Sequence, residues 1–253
     1  MAITWDFSPT LFTIGSIEIR WYGLLFSIAF YTSYALMKYM LKLENKPTNK
    51  LDTFSIYLIL GTVIGARLGH CFFYEPQYYL QNPVEIFAIW KGGLASHGGM
   101  LGVLLATWLF TKRNTEYGYI GTLDKLSVIS ASSAVLIRLG NLFNSEIYGK
   151  PTGSDFGVIF TAVDELPRHP TQIYEAFSYL LIFIVLLFLT KRKVFETPGK
   201  YLGLFLVSTF SARFFIEYFK VNQSLFENGM MLNMGQILSI IPILFGCYFL
   251  LRK

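Results

Sequence analysis

The chain has 253 residues, of which 53% are hydrophobic, 17% aromatic and 15% charged, with a formal net charge of +5. Ordinary soluble domains carry ~25% charged residues, and a globule of this length buries only ~70–75% of its surface, too little to hide so much apolar area. Disorder, a collagen-like repeat, a disulfide scaffold and a soluble globule are thereby excluded, and an integral membrane protein is left.

Residues 1–12 carry no Lys or Arg and no small-residue cleavage site follows, so the sequence predicts no signal peptide and a retained first helix. A helix crosses the hydrocarbon core with ~20 mostly apolar residues. Seven runs have that character: 21–40, 54–74, 92–111, 125–143, 172–190, 200–219 and 232–251. The predicted fold is an all-α polytopic membrane protein with seven transmembrane helices, one integral membrane domain over residues 1–253. Polar turns are expected at 41–53, 112–124 and 191–199. The connection 75–91 mixes Tyr78, Tyr79, Phe87 and Trp90 with Glu75 and Glu85, which suits a segment lying in the interface. The connection 144–171 holds Gly, Pro, Asp and a strand-like stretch at 156–160, and reads as a small extracytoplasmic cap.

An odd number of crossings puts the termini on opposite sides. With the N-terminus outside, the 21 Lys and Arg divide into twelve on inner segments, five on outer segments and four within the runs. The positive-inside rule then predicts the N-terminus outside and the C-terminus cytoplasmic. The net charge calls for no nucleic acid, because basic anchors facing an anionic leaflet account for it. Cys71 and Cys247 lie within apolar runs and read as small core hydrophobes. The three histidines, His70, His97 and His169, come without an HExxH or CxxC pattern, so neither metal nor cofactor is expected.

On this topology the intramembrane polar residues gather at one depth. Arg67 and His70, Ser96 and His97, Arg138 with Asn141, Asn144 and Glu146, Gln172 with Glu175, Arg213 with Glu217, and Tyr22 all fall in the outer third. An intramembrane Arg costs at least ~2.5 kcal/mol at a helix centre, so such residues usually face an interior cavity. A single Arg near a helix end is equally well explained by snorkelling, and Arg213 has Glu217 four residues on as a ready partner. Three Arg on three helices, with two Glu and two Asn, point instead to a site for an anionic headgroup. A guanidinium grips phosphate through two parallel donors, which an ammonium does not. Close helix packing accounts for Gly98, Gly99 and Gly102. His97 reads either as a hydrogen-bonded helix partner or as a proton-transfer group, with an unperturbed pKa of ~6.5.

Residues 138–149, RLGNLFNSEIYG, resemble the signature of the bacterial prolipoprotein diacylglyceryl transferases. That pattern runs Gly-Arg-x-Gly-Asn-Phe-x-Asn-x-Glu-x-x-Gly. Arg138, Gly140, Asn141, Asn144, Glu146 and Gly149 match it, while Ile137 replaces the leading Gly and Leu142 the Phe. Five further blocks resemble the family in order: IRWYGL at 19–24, GARLG at 65–69, GGLASHGG at 92–99, RHPTQIYEA at 168–176 and ARFFIEYF at 212–219.

The resemblance implies a transferase of the bacterial cytoplasmic (inner) membrane, multi-pass, with its active site facing outward. It would move the diacylglyceryl group of phosphatidylglycerol to the lipobox cysteine of a prolipoprotein signal peptide. A thioether forms and glycerol 1-phosphate leaves, the first step of lipoprotein maturation. His97 is then the base or hydrogen-bond partner of the thiol, and Arg138 and Arg213 hold the phosphate. Tyr22, Asn141 and Glu146 orient the headgroup and the Arg side chains, Gly149 shapes the turn below the cap, and Glu217 positions Arg213. Arg67 fits helix packing or a lateral wall. A monomer is expected. The rival readings are an anionic-lipid transporter or flippase, which calls for broken midplane helices and related halves, and a non-catalytic lipid-binding scaffold, which has no use for His97.

Overall fold

The computed structural model describes residues 2–221 and 230–252. The chain is mostly helical. Among the described residues six helices are long and apolar enough to cross a membrane: α1 (Trp21–Leu43), α2 (Leu51–Phe73), α5 (Tyr119–Phe143), α6 (Thr171–Lys191), α7 (Lys200–Ile216, continued by a 3₁₀ turn to Phe219) and α8 (Met234–Leu251). Between α2 and α5 lie α3 (Pro76–Gln81), two 3₁₀ turns, and α4 (Ser96–Arg113). The run expected at 92–111 is therefore shorter as a helix. Gly92 and Gly93 take φ of 85° and 70°, outside helical space, and the first turn waits for Ser96. Its 18 residues reach ~27 Å at 1.5 Å per residue.

The chain packs as two compact bodies. The first comprises Met1–Met37 and Asp124–Lys253, the second Lys38–Leu123. In the second body α2 and α4 touch backbone to backbone. A Cβ on Gly69 would stand 2.8 Å from Gly98 Cα, and one on Gly65 would collide with the Gly98 carbonyl. The glycines at 61, 65 and 69 thus present one small-residue face, as in close-packed membrane helices. Arg67, 3% exposed, sits on the same helix and latches the following segment. Its guanidinium donates to the carbonyls of Ile86 (2.9 Å), Glu85 (2.6 Å), Gly92 (2.6 Å) and Gly93 (3.3 Å). The segment so held bares Val84, Phe87 and Trp90.

In the first body short strands accompany the helices. Strand β1 (Ala2–Trp5) runs parallel to β4 (Gly157–Phe160), which pairs antiparallel with β5 (Pro167–Arg168). The strand expected at 156–160 is β4. Its partner β1, more than 150 residues away, is a four-residue stretch with no local signature. Phe160, Val158 and Leu142 form a small core under Trp5, Tyr148 and Val163. Arg168 ties this layer by its ion pair with Asp164 and a 3.2 Å bond to the Gly149 carbonyl. The Arg168 guanidinium holds the Asp164 carboxyl below the usual carboxylate range. Strands β2 (Thr10–Ile14) and β3 (Ile17–Arg20) make a separate hairpin that leads into α1. Asp124 accepts from the Gly199 and Leu202 amides at 2.7 and 2.8 Å, satisfying two orphan donors at the start of α7.

Candidate functional site

Helix α5 ends in the signature. The chain folds back at once: the Glu146 amide donates to the Asn141 carbonyl at 3.0 Å. Two non-glycine residues here, Ser145 (φ 52°) and Ile147 (φ 58°), lie in the left-handed region, where a side chain is strained. Packing and hydrogen bonds hold this reversal. Thr171 Oγ1 donates to the Ile147 carbonyl at 2.8 Å and Gln172 Nε2 to that of Glu146 at 2.8 Å. Gly149 pairs with Lys220 in a single bridge, and its amide donates to His169 O at 2.9 Å. A Cβ there would lie 2.6 Å from both His169 Cβ and the Phe219 carbonyl. Only glycine fits.

Arg138 leads a polar chain. Its Nη1 donates to Asn141 Oδ1 at 3.0 Å, and Asn141 Nδ2 donates to Glu146 Oε1 at 2.7 Å. Asn144 Nδ2 reaches the same oxygen at 3.3 Å. On its other side, Arg138 Nε stands 3.0 Å from Glu175 Oε2. That oxygen accepts no aligned hydrogen bond, so the contact is an ion pair rather than a directed bond. Glu175, fully buried, meets Lys220 Nζ at 2.9 Å and accepts from the Tyr179 hydroxyl at 3.2 Å. Lys220 is 2% exposed and also reaches Glu217 Oε2 at 3.3 Å. Buried Lys220 and half-buried Arg138 thus neutralise two buried carboxylates, as burial of charge demands.

Arg213 stands apart from this balance. Among the described residues its guanidinium makes no hydrogen bond and no ion pair, and Glu217 pairs with Lys220 at 3.3 Å. The Tyr22 ring packs against the signature helix: a Cβ on Gly140 would be 2.7 Å from Tyr22 Cδ2. Arg138, Asn141, Glu146, Gly149 and Glu217 are therefore joined through bonds or a common partner, and Tyr22 packs beside them. His97 is an exposed residue in the first turn of α4, in the second body, and forms no hydrogen bond among the described residues. Arg67 spends its donors on carbonyls.

From sequence Glu175 was placed in the outer polar layer without a role, and Lys220 was not singled out. A signal for Glu175 was present: Gln172, Glu175 and Tyr179 recur at helical spacing on α6 and all are buried. Lys220 follows an aromatic run and looks like an ordinary surface anchor.

Fold and network together define a polytopic helical membrane protein with a charge cluster of Arg138, Glu175, Lys220 and Glu217, beside which Arg213 makes no ion pair among the described residues. The family model described as prolipoprotein diacylglyceryl transferase matches residues 9–252. The chain is 46% identical over 247 residues to the phosphatidylglycerol–prolipoprotein diacylglyceryl transferase of Tolumonas auensis, covering 98% of this chain and 96% of that protein. It is 47% identical to the protein of that name from Chloroherpeton thalassium, covering 96% and 91%. The one from Bacteroides fragilis is 42% identical, covering 99% and 95%. The chain belongs to the prolipoprotein diacylglyceryl transferase family.

Proposed function

We propose that this chain transfers the diacylglyceryl group of phosphatidylglycerol to the lipobox cysteine of prolipoproteins. What carries the reading is likeness to relatives of that name over nearly their whole length. The arginine arrangement supports it. Arg213 has a charge to offer an anion, and among the described residues Arg138 Nη2 makes no hydrogen bond, while Nη1 bonds Asn141 and Nε pairs with Glu175.

The reaction needs a thiolate at a saturated carbon, and a free cysteine has a pKa of ~8.5, so a base must take its proton. In this proposal His97 accepts that proton. Sulfur attacks the glyceryl CH₂, the C–S bond forms, and the bond from carbon to phosphate oxygen breaks with its electron pair leaving on oxygen. Arg138 and Arg213 stabilise the growing charge on glycerol 1-phosphate, which then takes up a proton. Tyr22, Asn141 and Glu146 orient headgroup and guanidinium, and Gly149 keeps the reversal tight. Glu217 acts on Arg138 through Lys220 and Glu175.

The same proposal places the chain in the bacterial cytoplasmic membrane as one integral domain and a monomer. The N-terminus is outside, α4 serves as the seventh crossing, 75–91 lies in the interface and 144–171 outside. Purified protein in nanodiscs with phosphatidylglycerol and a lipobox peptide tests the chemistry. Lipidated peptide and glycerol phosphate are expected in equal amounts; release of glycerol phosphate without thioether would overturn it. Labelling of Lys46→Cys from outside intact cells would overturn the orientation.

A further inference from the structure

The β2–β3 hairpin sorts its side chains by chemistry. Partners opposite one another share a face, and so do residues two apart along a strand. Phe12 pairs with Ile19 and Ile14 with Ile17, so these four form one face. Thr13 pairs with Glu18 and Thr10 with Arg20, and these form the other. The irregularity at Leu11 resets the alternation, so that Thr10 joins the polar side. On that side the hairpin is internally bonded: Arg20 Nη2 meets Glu18 Oε2 at 3.1 Å, and Thr10 Oγ1 reaches the same oxygen at 3.5 Å.

Most of the apolar face is bare among the described residues, with only Ile19 half-buried. Phe12 is 50% exposed, and Ile14 and Ile17 are each 64% exposed. A two-stranded hairpin is marginal in water at best and needs something to pack against. What adjoins it is the bilayer. Strand β3 ends at Arg20 and α1 starts at Trp21 with no intervening residue, and the Trp21 amide donates to the Pro9 carbonyl at 3.0 Å. Both ends of the hairpin are thus fastened to the start of a membrane-spanning helix. Trp21 stacks on Phe143 at 4.8 Å, with Trp5 and Phe7 alongside, the aromatic composition of a membrane boundary.

We infer that the β2–β3 hairpin lies in the plane of the lipid headgroups, with Phe12, Ile14, Ile17 and Ile19 dipped into the acyl boundary and Thr10, Thr13, Glu18 and Arg20 toward water. It is a strand counterpart of the amphipathic interfacial helix, whose apolar face sinks ~5–10 Å below the headgroups. Anchoring fixes the depth of the first turn of α1, which carries Tyr22. This inference requires only that α1 spans the membrane and is independent of the proposed chemistry.

Nitroxide labels at Ile14→Cys, Ile17→Cys, Thr13→Cys and Glu18→Cys test it in nanodiscs. A Cys247→Ala background suffices, because Cys71 is fully buried. Collision rates are measured with oxygen, which concentrates in lipid, and with a water-soluble nickel chelate. Labels at 14 and 17 are expected to collide several-fold more with oxygen than with the chelate, and labels at 13 and 18 to show the reverse. Chelate access at all four sites would overturn the inference by placing the hairpin in water. Shielding of 14 and 17 from both reagents would overturn it by placing a protein surface there, either a second copy or a peptide substrate.

Discussion

Lys220→Met removes the cation shared by two buried carboxylates. At an effective dielectric of ~20, its attraction to Glu175 at 2.9 Å is about 6 kcal/mol and to Glu217 at 3.3 Å about 5 kcal/mol, both gross. Desolvation offsets most of this in the intact cluster. What emerges when one partner is deleted is the stranding of the other, about 3–5 kcal/mol. The two carboxylates suffer unequally. Glu175 keeps Arg138 at 3.0 Å and the Tyr179 hydroxyl, while Glu217, 3% exposed, loses its cation. Most of the loss is therefore expected at Glu217, and Lys220→Met/Glu217→Gln should recover more than half of it. Unfolding is followed in detergent with a thiol-reactive fluorogenic dye that reports exposure of buried Cys71. With ~2–4 °C per kcal/mol for a chain of this size, the single variant should melt roughly 6–20 °C lower. A loss under ~1 kcal/mol, or additive effects in the double variant, would refute the stranded-carboxylate account.

His97→Gln should abolish transfer while leaving phosphatidylglycerol binding nearly unchanged; near-normal turnover would remove it as base. Arg138→Lys and Arg213→Lys should each lose most activity, with turnover falling more than lipid affinity, because the planar fork is gone and the leaving oxygen gains charge only as the bond breaks. Arg67→Lys should retain more activity but open the 83–93 segment to limited proteolysis, since one ammonium cannot serve carbonyls of four residues. Gly65→Ala should destabilise by ~1–3 kcal/mol through overpacking against α4, whereas Gly23→Ala, with nothing within 4 Å, should gain up to ~1 kcal/mol from helix propensity, both read as melting shifts. The depressed Asp164 carboxyl contributes stability present above its unfolded pKa of ~3.9 and lost as pH falls through the lower folded value, so protease resistance of 150–168 should hold from pH 8 to 5 and fail in stronger acid.

The helices were legible because their signal is local and long. Apolar runs of ~20 residues fixed six spans to within a few residues, and the glycines of 92–102 announced close packing before any partner was known. The β layer was not legible in the same way. Ala2–Trp5 has meaning only beside Gly157–Phe160, and no local pattern encodes a pairing across that distance. Within the site, the signature displayed Arg138, Asn141 and Glu146, which lie within one turn and one reversal of each other. It did not display Lys220, whose burial depends on α6 supplying Glu175 from elsewhere in the chain.

Arg213 shows where a local rule gives way. On a continuing α-helix, residues four apart share a face, so Glu217 is the natural counterion of Arg213. The α-helix ends at Ile216, and Glu217–Phe219 tightens into a 3₁₀ turn, where the repeat is three residues. Glu217 then faces Lys220, three residues on, at 3.3 Å. Lys220 in turn bonds Glu175, which pairs with Arg138, so the whole buried balance closes without Arg213. The Glu217 amide still donates to the Arg213 carbonyl, so the backbone between them stays helical and it is the carboxylate that turns to Lys220. In the proposed chemistry Glu217 thus serves Lys220, and the Arg213 guanidinium, unpaired among the described residues, serves the phosphate of the lipid.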